Sequence, residues 1–119
     1  MKYMLLIYES PGTRELFNSD EGAELMARVG AMMQEITESG ELVDTAALAE
    51  PSNAKSVRAG SGSPAITDGP FIEAKEHFGG YLLVDCDLDR ALDIAARWPT
   101  SAAGGIEVRP LMYHAGAEM

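Results

Sequence analysis

The sequence predicts an α+β fold in which a strand–helix–strand unit, a hairpin and a second strand–helix–strand unit follow one another. Three observations point to it. Residues 2–8 (KYMLLIY) form an almost unbroken apolar run, too short for a core helix and suited to a strand buried on both faces. Leu25, Met26, Val29, Met32, Met33 and Ile36 recur at the spacing of one helix face. A second short apolar run, YLLVD at 81–85, precedes another helical stripe of Leu88, Ala91, Leu92, Ala95 and Trp98. Strands alternating with helices in this order make two βαβ units, and so a ferredoxin-like two-layer arrangement.

Each element follows in turn. Residues 9–18 (ESPGTRELFN) carry Pro11 and Gly12 and read as a loop. Asn18 or Ser19 then caps the first helix, and Asp20, Glu21 and Glu24 suit its positive N-terminal end. Gly40 stops it. The methionines of its stripe are read as core, against the alternative of an adaptable binding surface. Residues 42–48 are the second strand, and 51–53 a turn. Residues 55–59 and 64–67 flank Gly60-Ser61-Gly62 as a hairpin. Asp87 caps the second helix, and Pro99 ends it. After a Ser/Ala/Gly loop, residues 106–112 alternate, with Ile106, Val108 and Met112 on one face and Glu107 and Arg109 on the other. The tail from His114 reads as frayed. No linker or repeat divides the chain, so residues 1–119 are expected to form one domain.

Composition narrows the function classes. Nine Lys and Arg against nineteen Asp and Glu leave a net charge of −10, which repels phosphate backbones and anionic lipid. Direct nucleic-acid or membrane partners are therefore not expected. One cysteine forbids an internal disulfide and suits a reducing, cytoplasmic location. The opening segment turns acidic where a signal peptide needs a cleavage site. Two histidines far apart and a lone cysteine make a metal site improbable, no nucleotide or metalloprotease motif is present, and no cofactor is expected.

The sheet predicts a partner. Tyr3, Leu5 and Ile7 alternate with Met4, Leu6 and Tyr8, so the first strand is apolar on both sides, and 81–84 repeats the pattern. Two helices cover one face only. A second copy of the sheet is the simplest cover for the other, giving a homodimer whose two sheets pack face to face as an α/β barrel. The alternative is that the loop from Pro70 to Gly79 folds over that face within one chain.

The densest run of ionisable and turn residues is 67–81, TDGPFIEAKEHFGGY. Asp68, Gly69, Pro70 and Phe71, then Ile72, Glu73, Ala74, Lys75 and Glu76, with Gly79, Gly80 and Tyr81 behind them, resemble the YCII-related proteins. Within these they resemble the subgroup named after the motif DGPF. The opening MKYMLLIY and the closing IEVRPL resemble it too, so the likeness covers almost the whole chain. It implies a ferredoxin-like fold paired as a dimeric α+β barrel, similar to small aromatic-lactone isomerases. Most DGPF proteins are unassigned, and their genes often adjoin those of extracytoplasmic-function sigma factors. Related YCII proteins carry a His/Asp pair proposed as an acid–base centre, with the histidine on or near the first helix. This chain departs from that pattern and has no histidine there.

The candidate residues each have two readings. Asp68 is a general base if burial raises its pKa, or the anchor of an Asx turn. Glu73 and Lys75 belong to a substrate site in which the lysine neutralises a substrate carboxylate, or the two form an ordinary ion pair. His77 shuttles a proton, or is a surface histidine. Arg58 and Arg109, on strands of an acidic chain, mark a carboxylate site, or Arg109 pairs with Glu107 of a second copy. Tyr8 and Tyr81 line a pocket, or are core tyrosines with satisfied hydroxyls. Cys86 reads as inert. The functional expectation is a small-molecule-binding domain, acting as a cofactor-independent lyase or isomerase on a small carboxylic acid. The alternatives are a non-catalytic accessory dimer in sigma-factor-type regulation and a purely structural dimer.

Overall fold

Strand β1 (Lys2–Glu9) leads into two helices, α1 (Pro11–Phe17) and α2 (Gly22–Glu38), and then strand β2 (Leu42–Ala47). A short 3-10 turn at Pro51–Asn53 precedes the hairpin of β3 (Lys55–Arg58) and β4 (Ala65–Asp68). Strand β5 (His77–Asp85), helix α3 (Leu88–Arg97), a single turn α4 (Ser101–Gly104) and strand β6 (Ile106–Pro110) complete the order. This computed structural model describes residues 1–71 and 76–114.

Four strands form an antiparallel sheet of order β2-β5-β1-β6, and β3-β4 is a separate two-stranded sheet. β1 and β2 both run antiparallel to β5, which lies between them, so the α2 crossover joins two parallel, non-adjacent strands. β5 and β6 flank β1 and are joined through α3 in the same way. That is the split βαβ pattern, interleaved twice. The fold is α+β, with a four-stranded antiparallel sheet and an added hairpin.

The helices cover one face of the sheet. Tyr3 and Leu5 of β1 and Leu82 and Val84 of β5 are buried there against Met32 and Ile36 of α2 and Ala91 and Ile94 of α3. Leu5, Ile36, Leu82 and Ile94 are at most 1% exposed, and each such side chain contributes about 1.5–3 kcal/mol of transfer free energy. The molecule measures 49 × 44 × 18 Å. The shortest extent leaves room for one sheet and one helical layer. Its radius of gyration is 16.3 Å, against about 13.5 Å for a closely packed chain of this length.

Three local expectations are corrected. Residues 9–18 are not a loop: Pro11 stands at the start of α1, where its missing N–H costs nothing and its fixed φ fits a helix. The Ser10 N–H donates to Thr13 Oγ1 at 3.2 Å, holding that start. Asn18 accordingly closes α1, and Glu21, not Asn18 or Ser19, precedes the first residue of α2. Asp87 does cap α3, its carboxylate accepting the Arg90 N–H at 2.8 Å. The buried face of α3 is Ala91, Ile94 and Ala95, with Trp98 just beyond, while Leu88 and Leu92 are about half exposed.

Arg90 ties the two long helices together. Its Nε donates to both oxygens of Glu41 at 3.1 and 3.0 Å, Nη2 to Glu35 at 2.9 Å, and Nη1 to Asp93 at 2.8 Å. The Arg90 hydrogen bond, helped by Ser39, holds the Glu41 carboxyl below its ordinary value of 4.5, and the same carboxylates raise Arg90. A carboxyl whose folded pKa lies below its unfolded one stabilises the fold at pH above the unfolded value and loses that contribution as pH falls through the folded one. Arg90→Ala is expected to cost about 1–2 kcal/mol near neutral pH, trimmed by solvent at the exposed partners. Urea unfolding of wild type and Glu41→Gln should converge as pH falls below the ordinary carboxyl value of 4.5. A gap that stays constant through that fall would contradict the assignment.

Candidate functional site

Polar side chains gather where β1 ends and β5 begins. Glu9 and His77 face each other in the β1–β5 register. α1 turns back so that Arg14 Nη2 lies 3.6 Å from Glu9 Oε2, while its Nε lies 3.7 Å from Glu50 Oε1. Glu9, Arg14, Glu50 and His77 line one pocket of about 340 Å³. Arg14 therefore bridges two carboxylates with a histidine close by.

Glu9 also lines a second space. A cleft of about 410 Å³ opens between α2 and the helix-covered face of the sheet, walled by Ile7, Val29, Met33, Leu82 and Trp98. Its volume is that of a small-organic-molecule site, and its walls are apolar as such sites are. β5 supplies part of the floor as Gly79 and Gly80. A Cβ on Gly79 would fall 2.5 Å from Cγ and Cδ of Glu9, so the glycine lets that side chain lie flat on the strand. The methionine stripe of α2 divides between the two readings of it: Met32 is buried in the core, and Met26 and Met33 border the cleft.

The residues singled out from sequence are dispersed. His77 is the one in the polar cluster, and it also lines a neighbouring pocket of about 380 Å³ with Pro70 and Phe78. Asp68 is at the end of β4, its side chain 84% exposed and ion-paired with Lys55 across the hairpin. Beside it Gly69 takes φ +87, and the Ser56 hydroxyl donates to its carbonyl at 2.6 Å. Arg58 stacks its guanidinium over Phe71 at 4.7 Å from the ring centroid, still on the hairpin side of the molecule. Glu73 and Lys75 lie outside the described residues.

Tyr8, Tyr81 and Arg109 sit on the sheet face that the helices leave open. Cross-strand register aligns Met4 with Leu83 and Arg109, and Leu6 with Tyr81 and Glu107. Tyr8 meets Phe78 edge-on, with ring centroids 6.0 Å apart, and its hydroxyl donates to Glu107 at 3.5 Å. The Tyr81 hydroxyl donates to Asp44 at 2.8 Å, and that carboxylate raises the phenol's pKa. Arg109 has no ion pair among the described residues. Cys86 is half-buried, and burial together with Glu41 and Asp87 pushes its thiol up, away from the reactive thiolate.

Among the described residues, no group of three or more His, Cys, Asp or Glu side chains is placed to hold a metal ion. No described helix is long and apolar enough to cross a membrane. Glu9, Arg14 and Glu50 were not expected from sequence. Arg14 lay in a supposed loop, and only the return of α1 brings it to a strand end and to the turn after β2. The methionine stripe was the one advance signal for the cleft.

The YCII-related domain family matches residues 1–114. The chain belongs to that family. An uncharacterized protein of Rhizobium meliloti (strain 1021) is 32% identical over 122 residues, which cover 100% of this chain and 98% of that protein. For this YCII-related chain the family gives kinship along the whole fold but no activity.

Proposed function

We propose that this chain is a small-molecule-binding domain that works as a homodimer, with its ligand in the cleft between α2 and the sheet. The observation that carries this is the cleft itself: about 410 Å³ of apolar wall with one carboxylate on its floor. The dimer reading rests on the open face, where Met4, Leu6, Tyr8, Phe78 and Tyr81 form an apolar and aromatic surface in a molecule only 18 Å thick. A second sheet laid on that face makes the dimeric α/β barrel. Within the family, the run from Asp68 to Phe71 favours the DGPF subgroup.

A cofactor-free lyase or isomerase needs an acid–base group beside its substrate. Glu9 in the cleft and His77 in the adjoining pocket are side chains of that kind. Of the described candidates for gripping a substrate carboxylate, Arg109 is on the opposite sheet face from the cleft and Arg58 stacks on Phe71 at the hairpin.

Two measurements test the proposal. Light scattering at micromolar concentration should give the mass of two chains, and Leu6→Lys, which charges the open face, the mass of one. A monomeric wild type would refute the dimer. A thermal-shift screen of small metabolites should find stabilising compounds whose effect is lost in Met33→Trp, which fills the cleft. A saturating ligand adds about 2.7 kcal/mol at a hundred times its Kd, enough for a clear rise in Tm. Shifts that persist unchanged in the filled variant would place the ligand elsewhere.

A further inference from the structure

We infer that the cleft is built for an organic amine: a molecule with an apolar body and a cationic nitrogen that the Glu9 carboxylate receives. The inference rests on the small-molecule reading above and names the ligand class for that same site. It departs from the carboxylic acid that the sequence suggests.

Charge decides the class. Glu9 is the one ionisable side chain among the described residues lining the cleft; the other polar linings are the threonines Thr45 and Thr100. Among the described residues no lysine, arginine or histidine lines it, so a ligand carboxylate would enter apolar surroundings beside a like charge, without a counter-ion from them. A ligand ammonium would meet the opposite situation. Among the described residues the cation paired with Glu9 is Arg14, which lines the neighbouring pocket instead and does not saturate Glu9. The contact is 3.6 Å, longer than a charge-assisted hydrogen bond, it involves Oε2, and Arg14 is shared with Glu50.

The geometry leaves the other oxygen available. A Cβ on Gly79 would lie 2.8 Å from Glu9 Oε1, so this oxygen rests on the cleft floor where the strand has no side chain. The Glu9 side chain is 30% exposed, open enough to be reached and covered enough that water does not fully screen it. Ile7, Val29, Met33, Leu82 and Trp98 receive the apolar body, and the methionine adapts to its outline.

Three probes of one shape separate the possibilities: phenylbutylamine, phenylbutanol and phenylbutyrate, titrated by calorimetry against wild type, Glu9→Gln and Met33→Trp. The amine should bind wild type about tenfold or more tighter than the alcohol, as one charge-assisted hydrogen bond in a partly covered site gives, and the carboxylate should bind weakest. Glu9→Gln should collapse the amine-to-alcohol ratio toward one. Met33→Trp should abolish binding of the amine, which separates the cleft from general attraction to an acidic surface. A carboxylate that equals or beats the amine overturns the inference while leaving the small-molecule reading intact. So does an amine preference that survives Glu9→Gln or Met33→Trp. Failure of all three probes together with an empty metabolite screen removes the small-molecule reading itself.

Discussion

Leu5→Ala is expected to lower the unfolding free energy by about 3–5 kcal/mol, the cost of removing a large aliphatic side chain from a closed core. Leu5 is completely buried on β1, a strand with sheet neighbours on both sides, so the backbone around it has little freedom to collapse into the space left. It belongs to the same cluster as Ile36 of α2 and Ile94 of α3, and its loss would loosen both helices at once. The control is Leu88→Ala. Leu88 is 49% exposed at the start of α3, and its truncation should change stability by no more than about 0.5 kcal/mol. Urea unfolding followed by circular dichroism reads both: the Leu5 variant should shift to a much lower midpoint at nearly the same m-value. A loss below about 1 kcal/mol for Leu5, or equal losses for the two leucines, would show that the core lies elsewhere.

The contrast between those leucines shows what the sequence reveals and what it conceals. The alternation in residues 2–8 identifies β1 as apolar on both sides, and Tyr3 and Leu5 do turn to the core while Met4 and Leu6 do not. The helical stripe of α3 is less decisive. Leu88 and Leu92 lie on one flank of a stripe whose centre is Ala91 and Trp98, and periodicity alone favours the larger side chains. The helix instead meets the sheet through Ala91, Ile94 and Ala95, the alanines permitting close approach around the isoleucine, and the leucines are displaced to the rim. Residues 9–18 fail for a related reason: Pro-Gly signals a turn in most contexts, but proline at the first helical position is a helix start.

The site was less legible than the fold. His77 stands out in the sequence because histidine is a common proton-transfer side chain, and it borders the polar pocket. Asp68 stands out in the sequence because it sits in a dense motif, yet its carboxylate meets a hairpin lysine at the surface. Glu9 carries no motif. What singles it out is three-dimensional: a strand end opposite a glycine, a returning helix with Arg14, and a cleft beneath α2. Arg14 is near position 9 in sequence but reaches it only through the turn of α1, and Gly79 and most of the cleft walls are far along the chain, so no local pattern marks Glu9.

Gly104→Ala should cost about 2–4 kcal/mol and weaken ligand binding together, because Gly104 braces the strand end that presents Glu9. A Cβ there would fall 2.0 Å from the Tyr8 carbonyl oxygen, 2.7 Å from its carbon and 3.2 Å from the Glu9 Cα. All three atoms are backbone, so no side-chain rotation relieves the clash, and α4 must move away from β1. That movement strains the adjacent bond from the Tyr8 N–H to the Gly105 carbonyl, now 3.1 Å. Overpacking of this kind costs about 1–3 kcal/mol, and a lost backbone hydrogen bond about 1 more. The displacement also shifts Glu9 by enough to spoil a contact that depends on the carboxylate lying against Gly79. Gly30→Ala supplies the opposite sign. Gly30 is an exposed glycine within α2 with nothing within 4 Å of the added Cβ, so alanine should stabilise the chain by about 0.5–1 kcal/mol through helix propensity alone. Thermal unfolding and amine titration of the two variants check the pair. If Gly104→Ala unfolds at the wild-type temperature with unchanged affinity, α4 does not brace Glu9, and the cleft owes its geometry to β5 and α2.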